Sequence, residues 1–180
     1  MKMAWGITGA GDKMKETFEA MKALKEAHGD ALEVEIFLSR AGEQVVKYYR
    51  VKEGLEDIGK IWVEKNANSP FLAARLQLGE FELLLIAPAT SNTVAKLAYG
   101  IADTMLTNAA IQGMKTLTPT YIMPVDYREG TTVTKLPGGR ELELRVRRED
   151  AENVGRLEAM EGITPFESVE EIREIVERHL

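Results

Sequence analysis

The amino-acid sequence predicts an α/β protein with a parallel sheet and helices on both of its faces. Short apolar runs that are typical of buried strands alternate with amphipathic helix patterns as far as residue 126. The chain has 180 residues, of which 44% are hydrophobic and 29% charged, as in a soluble globular domain. We therefore expect a single domain over residues 1–180.

The first two strands and the helix between them come from residues 3–39. The segment MAWGITGAG predicts a short buried strand that ends in Gly9, Ala10 and Gly11. Apolar residues then recur three or four positions apart as far as His28, which predicts a helix with Asp12 as its N-cap. The segment LEVEIFLS, residues 32–39, predicts the second strand.

The middle of the chain predicts two further strands and two helices. Residues 42–58 predict an amphipathic helix with a break at Gly54, and residues 61–65 predict a short strand. Residues 69–79 predict a short helix that Ser69 caps and Gly79 stops. The apolar segment FELLLIAPA, residues 81–89, predicts a central strand.

Residues 91–114 predict one long helix that is apolar enough to be buried on most faces. Asp103 falls inside this helix, and a buried carboxylate needs a partner, so we expect it to accept a buried hydrogen bond. Lys96, one turn into the helix, is either a solvated residue or a neighbour of a bound phosphate. Residues 118–126 predict the fifth strand.

The sequence changes character after the fifth strand. Residues 131–148 contain β-branched residues, a Pro-Gly-Gly turn and the alternating segment ELELRVR, which together predict a β-hairpin outside the main sheet. Two helix patterns over residues 149–179 then close the chain.

Composition excludes several classes of function. The net charge of −6 argues against nucleic acid as a partner, because phosphate binding needs clustered Lys and Arg. The absence of cysteine excludes disulfides, thiolate nucleophiles and cysteine-bound clusters or zinc. No run approaches the ~18 apolar residues of a membrane span. The N-terminus lacks the apolar core of a signal peptide, so we expect a cytoplasmic protein.

Three loops at the predicted carboxyl ends of strands are candidates for ligand binding: TGAGD, SRAGE and APATSNT. The third loop carries Thr90, Ser91, Asn92 and Thr93 at the start of a helix, where free N–H groups favour anions. One residue would suffice to cap the helix, so four polar residues in a row favour a ligand such as a phosphate or a polar heterocycle.

The first loop resembles half of a dinucleotide-binding fingerprint. Met14 stands where the third glycine would fall, and Ser39 and Arg40 replace the usual acidic residue after the second strand. These departures disfavour a nicotinamide dinucleotide in its standard pose. Gly9 and Gly11 by themselves fit a tight turn and a ligand loop equally well.

The segment PATSNTVAKLAYGIADTMLTNA resembles the signature of the homo-oligomeric flavin-containing cysteine decarboxylase superfamily, roughly P-A-S/T-x-N-T-x-A-K-x-A-x-G-I-A-D-x-L. Within this superfamily the chain is most similar to the archaeoflavoproteins, small FMN proteins that take electrons from ferredoxin. The flavin-dependent dihydromethanopterin reductases are near relatives. The resemblance implies a three-layer sandwich with a Rossmann-like sheet, and a homo-oligomer with FMN near a subunit interface.

The resemblance also implies which residues bind the cofactor. Gly9, Ala10 and Gly11 match the first FMN loop, Ser39 matches the hydroxyl after the second strand, and Arg40 adjoins it. Asp103 matches the A-D pair of the signature as a structural residue and is not among the expected cofactor ligands. The loop that holds phosphate and flavin is matched by Pro88, Ala89, Thr90, Ser91, Asn92 and Thr93.

Departures from the superfamily shape the expected function. The decarboxylases use a histidine after the third strand, and this chain has no histidine in its middle. They also carry a motif resembling P-x-M-N-x-x-M, where this chain has MPVDYREGT, in which the Asn is missing and Asp126 stands nearby. We therefore expect an FMN-binding electron-transfer flavoprotein that accepts electrons from ferredoxin and passes them to an unidentified acceptor. The alternatives are a reductase of a pterin-like substrate, a flavin-storage module and, less favoured, a decarboxylase or prenyltransferase.

The hairpin region offers a basic surface for an acidic ferredoxin. Its arginines are Arg140, Arg145, Arg147 and Arg148. The competing interpretation, which we favour from the sequence, is an ordinary solvated hairpin in which Glu141 and Glu143 balance the charge.

Overall fold

The computed structural model describes residues 1–136 and 138–180. The strands are β1 (Lys2–Ile7), β2 (Glu33–Leu38), β3 (Lys60–Val63), β4 (Leu83–Ala89), β5 (Thr120–Pro124), β6 (Gly130–Lys135), β7 (Glu141–Val146) and β8 (Ile163–Pro165). The helices are α1 (Met14–His28), α2 (Arg40–Tyr49), α3 (Lys52–Ile58), α4 (Leu72–Gln77), α5 (Ser91–Ala98), α6 (Met105–Met114), α7 (Arg148–Glu158) and α8 (Glu171–His179). None of these helices is long and apolar enough to cross a membrane.

The main sheet of the described chain has six parallel strands in the order β3-β2-β1-β4-β5-β8. Its central strands are buried on both faces, as their continuous apolar sequences require. Trp5 of β1 is fully buried, and its indole N–H donates to the carbonyl of Ala87 in β4 at 2.7 Å. From β1 the chain adds strands first on one side, as β2 and β3, and then on the other, as β4, β5 and β8. The point between β1 and β4 is where ligands bind in sheets of this kind.

Helices cover both faces of this sheet, and each face has its own apolar core. One core joins the sheet to α1, α2, α3 and α8, with Phe18, Leu55 and Ile172 among its members. The other core joins the sheet to α4, α5, α6 and α7, with Leu76 and Leu106 among its members. The three-layer α/β sandwich expected from the sequence is therefore confirmed.

The hairpin predicted after the fifth strand is also confirmed. Strands β6 and β7 pair antiparallel from Gly130 with Val146 to Lys135 with Glu141, separately from the main sheet. The alternating sequence gives the ribbon one half-buried face, which includes Thr132 and Leu142, and one exposed face. Pro137, the first residue of the predicted Pro-Gly-Gly turn, lies outside the described residues.

The single long helix predicted over residues 91–114 is wrong, because α5 and α6 are separate helices. Gly100 has a left-handed φ of 70°, which ends α5, and Thr104 begins α6 with a capping box. Asp103 therefore lies in the connection and is exposed instead of buried. It does have a partner, since Lys96 Nζ lies 2.8 Å from its Oδ1.

Two predicted N-caps are wrong. Helix α1 follows Lys13 and α4 follows Phe71, in place of the predicted Asp12 and Ser69. Both residues have left-handed φ angles, 58° and 64°, and within the described chain neither caps its helix through its side chain. A side-chain cap needs an extended residue, so these two helices begin from tight turns instead.

A helix break and a strand also differ from the sequence prediction. The break expected at Gly54 lies at Arg50, whose φ of 58° ends α2, and Gly54 lies inside α3. A Cβ at Gly54 would approach the Phe18 ring to 2.4 Å, so this glycine permits close packing of α3 on α1. Strand β8 was not predicted, because its three residues are too few to give a period.

A buried ionic cluster joins β2 to α4 on one face of the sheet. Glu35, only 6% exposed, accepts two hydrogen bonds from Arg75, at 2.7 and 2.8 Å. It also accepts one from the Trp62 indole at 2.6 Å and pairs with Lys2 at 2.9 Å. Chiefly because of the Arg75 guanidinium, the pKa of Glu35 is lowered from 4.5 to about 2.

This lowered pKa predicts a specific loss of stability in acid. Because the folded-state pKa lies below the unfolded one, the contribution is full above pH 4.5 and is lost as the pH falls toward 2. The difference corresponds to roughly 3 kcal/mol, since each pKa unit represents ~1.4 kcal/mol. Urea unfolding at a series of pH values should show this slope. The Glu35→Gln variant should be less stable at neutral pH and lack that part of the slope, and an unaltered slope would contradict the assignment.

Candidate functional site

Among the described residues, two adjoining cavities lie at the carboxyl ends of β1, β2, β4 and β5. The first, which we name the polar cavity, has a volume of about 540 Å³. The second, the apolar cavity, has a volume of about 530 Å³, and Thr90 and Asn92 line both. Of the residues predicted from the sequence, the polar cavity contains Gly9, Ser39, Arg40, Thr90, Asn92 and Thr93. The apolar cavity contains Ala10, Gly11, Thr90, Ser91 and Asn92.

Helix N-termini face the polar cavity. Ser39 caps α2 by accepting from the N–H of Gly42 at 2.9 Å, and Thr90 caps α5 by accepting from the N–H of Thr93. Thr104, the cap of α6, lines the same cavity. The N–H groups in the first turn of a helix have no acceptor within that helix and carry partial positive charge. The polar cavity is therefore suited to an anionic group.

Glu64, which follows β3, links two of these helix N-termini. Its Oε2 accepts from the N–H of Arg40 at 3.1 Å, and its Oε1 accepts from the N–H of Met105 at 2.9 Å. One carboxylate thus engages both α2 and α6, while the start of α5 stays available to a ligand. Glu64 was not predicted from the sequence, because it falls within the strand predicted over residues 61–65 and its partners lie far along the chain.

Thr8, also missed from the sequence, fastens the loop after β1 to the loop after β4. Its side chain is 2% exposed, its hydroxyl donates to the carbonyl of Pro88 at 2.8 Å, and it accepts from the N–H of Thr90 at 3.0 Å. Pro88 therefore helps to hold the two loops together through its carbonyl, which accepts the hydrogen bond from Thr8. Ala89 is fully buried in the apolar core, behind the site.

Thr8→Val is expected to lower the free energy of unfolding by about 1 to 2 kcal/mol. The variant keeps the shape of the side chain but removes a buried hydroxyl that binds Pro88 and leaves the half-buried N–H of Thr90 without its acceptor. Urea denaturation would measure the change. The matched control is Thr131→Val on the exposed face of the hairpin, where a change within ~0.5 kcal/mol is expected. Equal effects at the two positions would contradict this role for Thr8.

Gly9 and Gly11 permit close approach of the first loop to α2. A Cβ on Gly9 would lie 2.7 Å from the Cβ of Ala41, and one on Gly11 would lie 2.6 Å from the hydroxyl of Tyr49. Contacts within the chain thus account for both glycines. They also bring the backbone of this loop to the edge of both cavities.

Helix α2 and the hairpin form opposite walls of the apolar cavity. Val45, Tyr48 and Tyr49 line it from α2, and Leu142 and Leu144 line it from β7. The Tyr49 hydroxyl donates to the carbonyl of Lys135 at 3.4 Å and so ties α2 to the hairpin. Aromatic and aliphatic walls of this kind are suited to a flat, largely apolar ring system.

Two carboxylates lie at the floor of the apolar cavity, Asp12 after β1 and Asp126 after β5. Asp126 accepts a short hydrogen bond from the Ser91 hydroxyl. Burial raises the pKa of Asp12 above its usual value, while the adjacent Lys13 opposes that rise. The cavity thus combines apolar walls with two ionisable acids.

Comparison with known proteins agrees with this geometry. The profile of the Flavoprotein family matches residues 1–175. An uncharacterized protein of Methanocaldococcus jannaschii is 49% identical over 181 residues, covering 100% of this chain and 96% of its own length. A dihydromethanopterin reductase (acceptor) of the same organism is 44% identical over 144 residues, covering 76% of this chain.

Solved structures give the same result. Burkholderia xenovorans DmrB in complex with FMN, reported as a cubic protein cage for redox transfer, has a TM-score of 0.83 and 31% identity. The match covers 99% of this chain and 94% of DmrB. A dodecameric FMN-dependent UbiX-like decarboxylase of Escherichia coli O157:H7 shares the fold, with a TM-score of 0.65 at 18% identity.

The share of each protein that a match covers determines what can be inferred from that match. The chain spans only 58% and 59% of the dihydromethanopterin reductases from Methanocaldococcus jannaschii and Methanosarcina mazei. The family profile, in contrast, covers nearly the whole chain, and the flavin-binding superfamily recognised in the sequence is confirmed. This chain belongs to the Flavoprotein family.

Proposed function

We propose that this chain is an FMN-dependent reductase whose acceptor is a flat nitrogen heterocycle of the pterin type. The observation that carries the proposal is the pair of joined cavities, one polar and under helix N-termini, the other walled by tyrosines and leucines. FMN likewise has one polar and one largely apolar part: an anionic phosphate at one end and a flat ring system at the other. FMN is the cofactor expected from the family and is present in the DmrB complex.

The residues of the polar cavity fit the phosphate and ribityl chain. The N–H groups of Ser91 and Asn92 lie in the first turn of α5, where they have no helical acceptor. Thr90 and Arg40 line the same space, and the Arg40 guanidinium donates to the carbonyl of Lys65. Thr90 and Asn92, which line both cavities, would hold the part of the cofactor that joins phosphate to ring.

The residues of the apolar cavity fit the ring system and leave room for an acceptor beside it. Val45, Tyr48 and Tyr49 on one side and Leu142 on the other would exclude water from the ring. When bound, FMN supplies the redox chemistry, as hydride or as single electrons. The similarity to dihydromethanopterin reductases supports a pterin-like acceptor over a carboxylate substrate.

A second candidate function is electron transfer from a separate protein such as ferredoxin. This chain has no cysteine to ligate a cluster of its own, so reducing equivalents come from another molecule. Lys15, Lys47 and Arg50 line a depression of about 570 Å³ beside Tyr48 and Tyr49, close to the apolar cavity. Lys47 pairs with Glu43 at 2.8 Å, so Lys15 and Arg50 are the basic residues that matter for docking. Basic residues at this rim would attract an acidic donor.

The arginine surface proposed from the sequence is less suited to that docking. Arg147 binds Asp150 through two hydrogen bonds, at 2.6 and 2.9 Å, and Arg148 pairs with Glu152 at 3.1 Å. These charges are already compensated. Ferredoxin would therefore dock through the rim around Arg50, and Lys15→Glu with Arg50→Glu should slow electron uptake at low salt far more than Arg147→Glu with Arg148→Glu.

The deciding experiment starts with the visible spectrum of the purified protein and calorimetric titration of the apoprotein with FMN. Reduced ferredoxin and NADH are then compared as donors, and a dihydropterin and ferricyanide as acceptors, by stopped-flow spectroscopy. The proposal expects FMN binding and oxidation of the reduced protein by the dihydropterin. A colourless protein that gives no heat with FMN would overturn the proposal. Oxidation by ferricyanide alone would favour the electron carrier.

Assembly into a homo-oligomer is part of the same proposal. DmrB is reported as a cubic cage, and this chain exposes large apolar side chains at Phe71, Leu78, Tyr99 and Leu117. Exposed side chains of this size are typical of surfaces that contact another subunit. Light scattering after size exclusion would measure the assembly, and a monomer at micromolar concentration would contradict it.

A further inference from the structure

We propose that Asp12 is the proton donor to the acceptor during reduction, a step that rests on the reductase function proposed above. A heterocyclic C=N bond takes up two electrons and two hydrogens when it is reduced. Its carbon receives hydride from the reduced cofactor, and its nitrogen needs a proton from another group. Without a positioned acid the nitrogen would carry negative charge in an apolar cavity, which is costly.

The position of Asp12 in the apolar cavity makes it a suitable donor. Asp12 and Asp126 are the only carboxylic acids that line this cavity within the described chain, and no His, Lys or Arg lines it there. The remaining polar groups on its walls are hydroxyls and an amide, which are far weaker acids. A proton for the acceptor would therefore come from a carboxylic acid or from water.

Asp12 also lines a second depression, which shares Gly11 and Tyr49 with the apolar cavity. This depression has a volume of about 480 Å³ and is bordered by Lys13, Lys15 and Glu16. Asp12 thus lines both the apolar cavity and a depression bordered by charged side chains. A residue in this position can deliver a proton on one side and recover one from water on the other.

The surroundings of the two acids differ in a way that favours Asp12 over Asp126. The carboxylate of Asp126 is engaged by the hydroxyl of Ser91. Burial raises the pKa of Asp12; the charge and the backbone N–H of Lys13 oppose that rise, and the charges of Glu16 and Asp126 add to it. The Lys13 ammonium itself donates to the carbonyl of Glu167 at 2.8 Å. A raised pKa means that Asp12 keeps its proton to a higher pH than an ordinary aspartic acid.

The step balances in atoms and charge. With the cofactor in its anionic reduced form as the hydride source, the N–H bond that supplies the hydride would break and a C–H bond would form at the acceptor carbon. The C=N π bond would break toward nitrogen, and that nitrogen would take the proton of the Asp12 carboxyl, whose O–H bond breaks. The acceptor is reduced, the flavin is oxidised, and Asp12 becomes a carboxylate that regains a proton from solvent. Tyr49 lines both spaces as well, but burial raises the pKa of its hydroxyl further above neutrality, so it is a poor donor.

The test compares Asp12→Asn, Asp12→Glu and the exposed control Asp57→Asn in the FMN-loaded protein. Single-turnover oxidation of the reduced protein by a dihydropterin should slow about 100-fold or more in Asp12→Asn and recover partly in Asp12→Glu. Oxidation by ferricyanide, which takes one electron and no proton, should stay within about twofold in Asp57→Asn and should change far less than the dihydropterin rate in the two Asp12 variants. A dihydropterin rate in Asp12→Asn equal to that of Asp57→Asn would overturn the proposal.

A second readout needs no cofactor. Carbon NMR of the apoprotein, labelled at the aspartate carboxyls, should show one resonance that titrates above the ordinary range and disappears in Asp12→Asn. Titration of that resonance in or below the ordinary range would also overturn the proposal. Absence of FMN binding would instead count against the reductase function, so the two failures are distinguishable.

Discussion

Arg75→Met is expected to lower the free energy of unfolding by about 3 kcal/mol. The substitution keeps most of the side-chain volume but leaves the carboxylate of Glu35 buried without its two guanidinium hydrogen bonds. Breaking a buried pair from one side costs about 3 to 5 kcal/mol. We expect the lower end because Lys2 and Trp62 still bind Glu35. Urea unfolding at pH 7 would measure the loss.

Arg173→Met is the matched control for this experiment. Arg173 pairs with Glu177 one helical turn away, and its side chain is 68% exposed, so removal should change stability by less than about 0.5 kcal/mol. Combining Arg75→Met with Glu35→Leu should restore part of the loss, because no buried charge then remains unpaired. Similar values for the two arginine variants would show that burial of the β2–α4 cluster has no energetic consequence.

Gly42→Ala is expected to lower the free energy of unfolding by about 2 to 3 kcal/mol and to weaken FMN binding at least tenfold. A Cβ at this position would lie 2.3 Å from the carbonyl oxygen of Ile7, a backbone atom that cannot rotate away. Helix α2 would have to move off the end of β1, which would displace Ser39 and Arg40 from the polar cavity. Urea unfolding and calorimetry with FMN would measure the two effects.

Gly155→Ala provides the comparison, since it makes the same chemical change inside helix α7. A Cβ there meets no atom of the described chain within 4 Å, and alanine is the better helix former. This variant should gain about 0.5 to 1 kcal/mol and bind FMN as the parent does. An unchanged affinity in Gly42→Ala would separate the packing of α2 on β1 from cofactor binding.

The first five strands, the two covered faces and the hairpin followed from local patterns, because strand and helix periods are written in consecutive residues, whereas the three-residue strand β8 did not. The separation of α5 from α6 did not, since the apolar pattern continues through residues 91–114. The helix ends there because Gly100 takes a left-handed φ and Thr104 captures the next free N–H groups. Gly100 and Thr104 are single residues, and a prediction based on the period of apolar residues over many positions does not detect them.

In the candidate site, too, contiguous motifs could be predicted from the sequence and long-range contacts could not. The hydroxyl-rich loop at Thr90 and the glycines of the first loop were recognisable, since each is a contiguous motif. Thr8 and Glu64 were not, because their partners lie far along the chain: Thr90 is 82 residues from Thr8, and Met105 is 41 from Glu64. Such pairings exist only once the parallel sheet has brought the loops together.

The hairpin wall has a consequence for how proteins of this type can diversify. Leu142 and Leu144 line the apolar cavity, yet they belong to a ribbon outside both cores. Substitutions at these two positions can reshape the space beside the flavin without disturbing the packing that holds the sheet. In duplicated genes, substitutions in this ribbon can therefore change which molecule fits beside the cofactor, while the residues that would bind the cofactor stay the same.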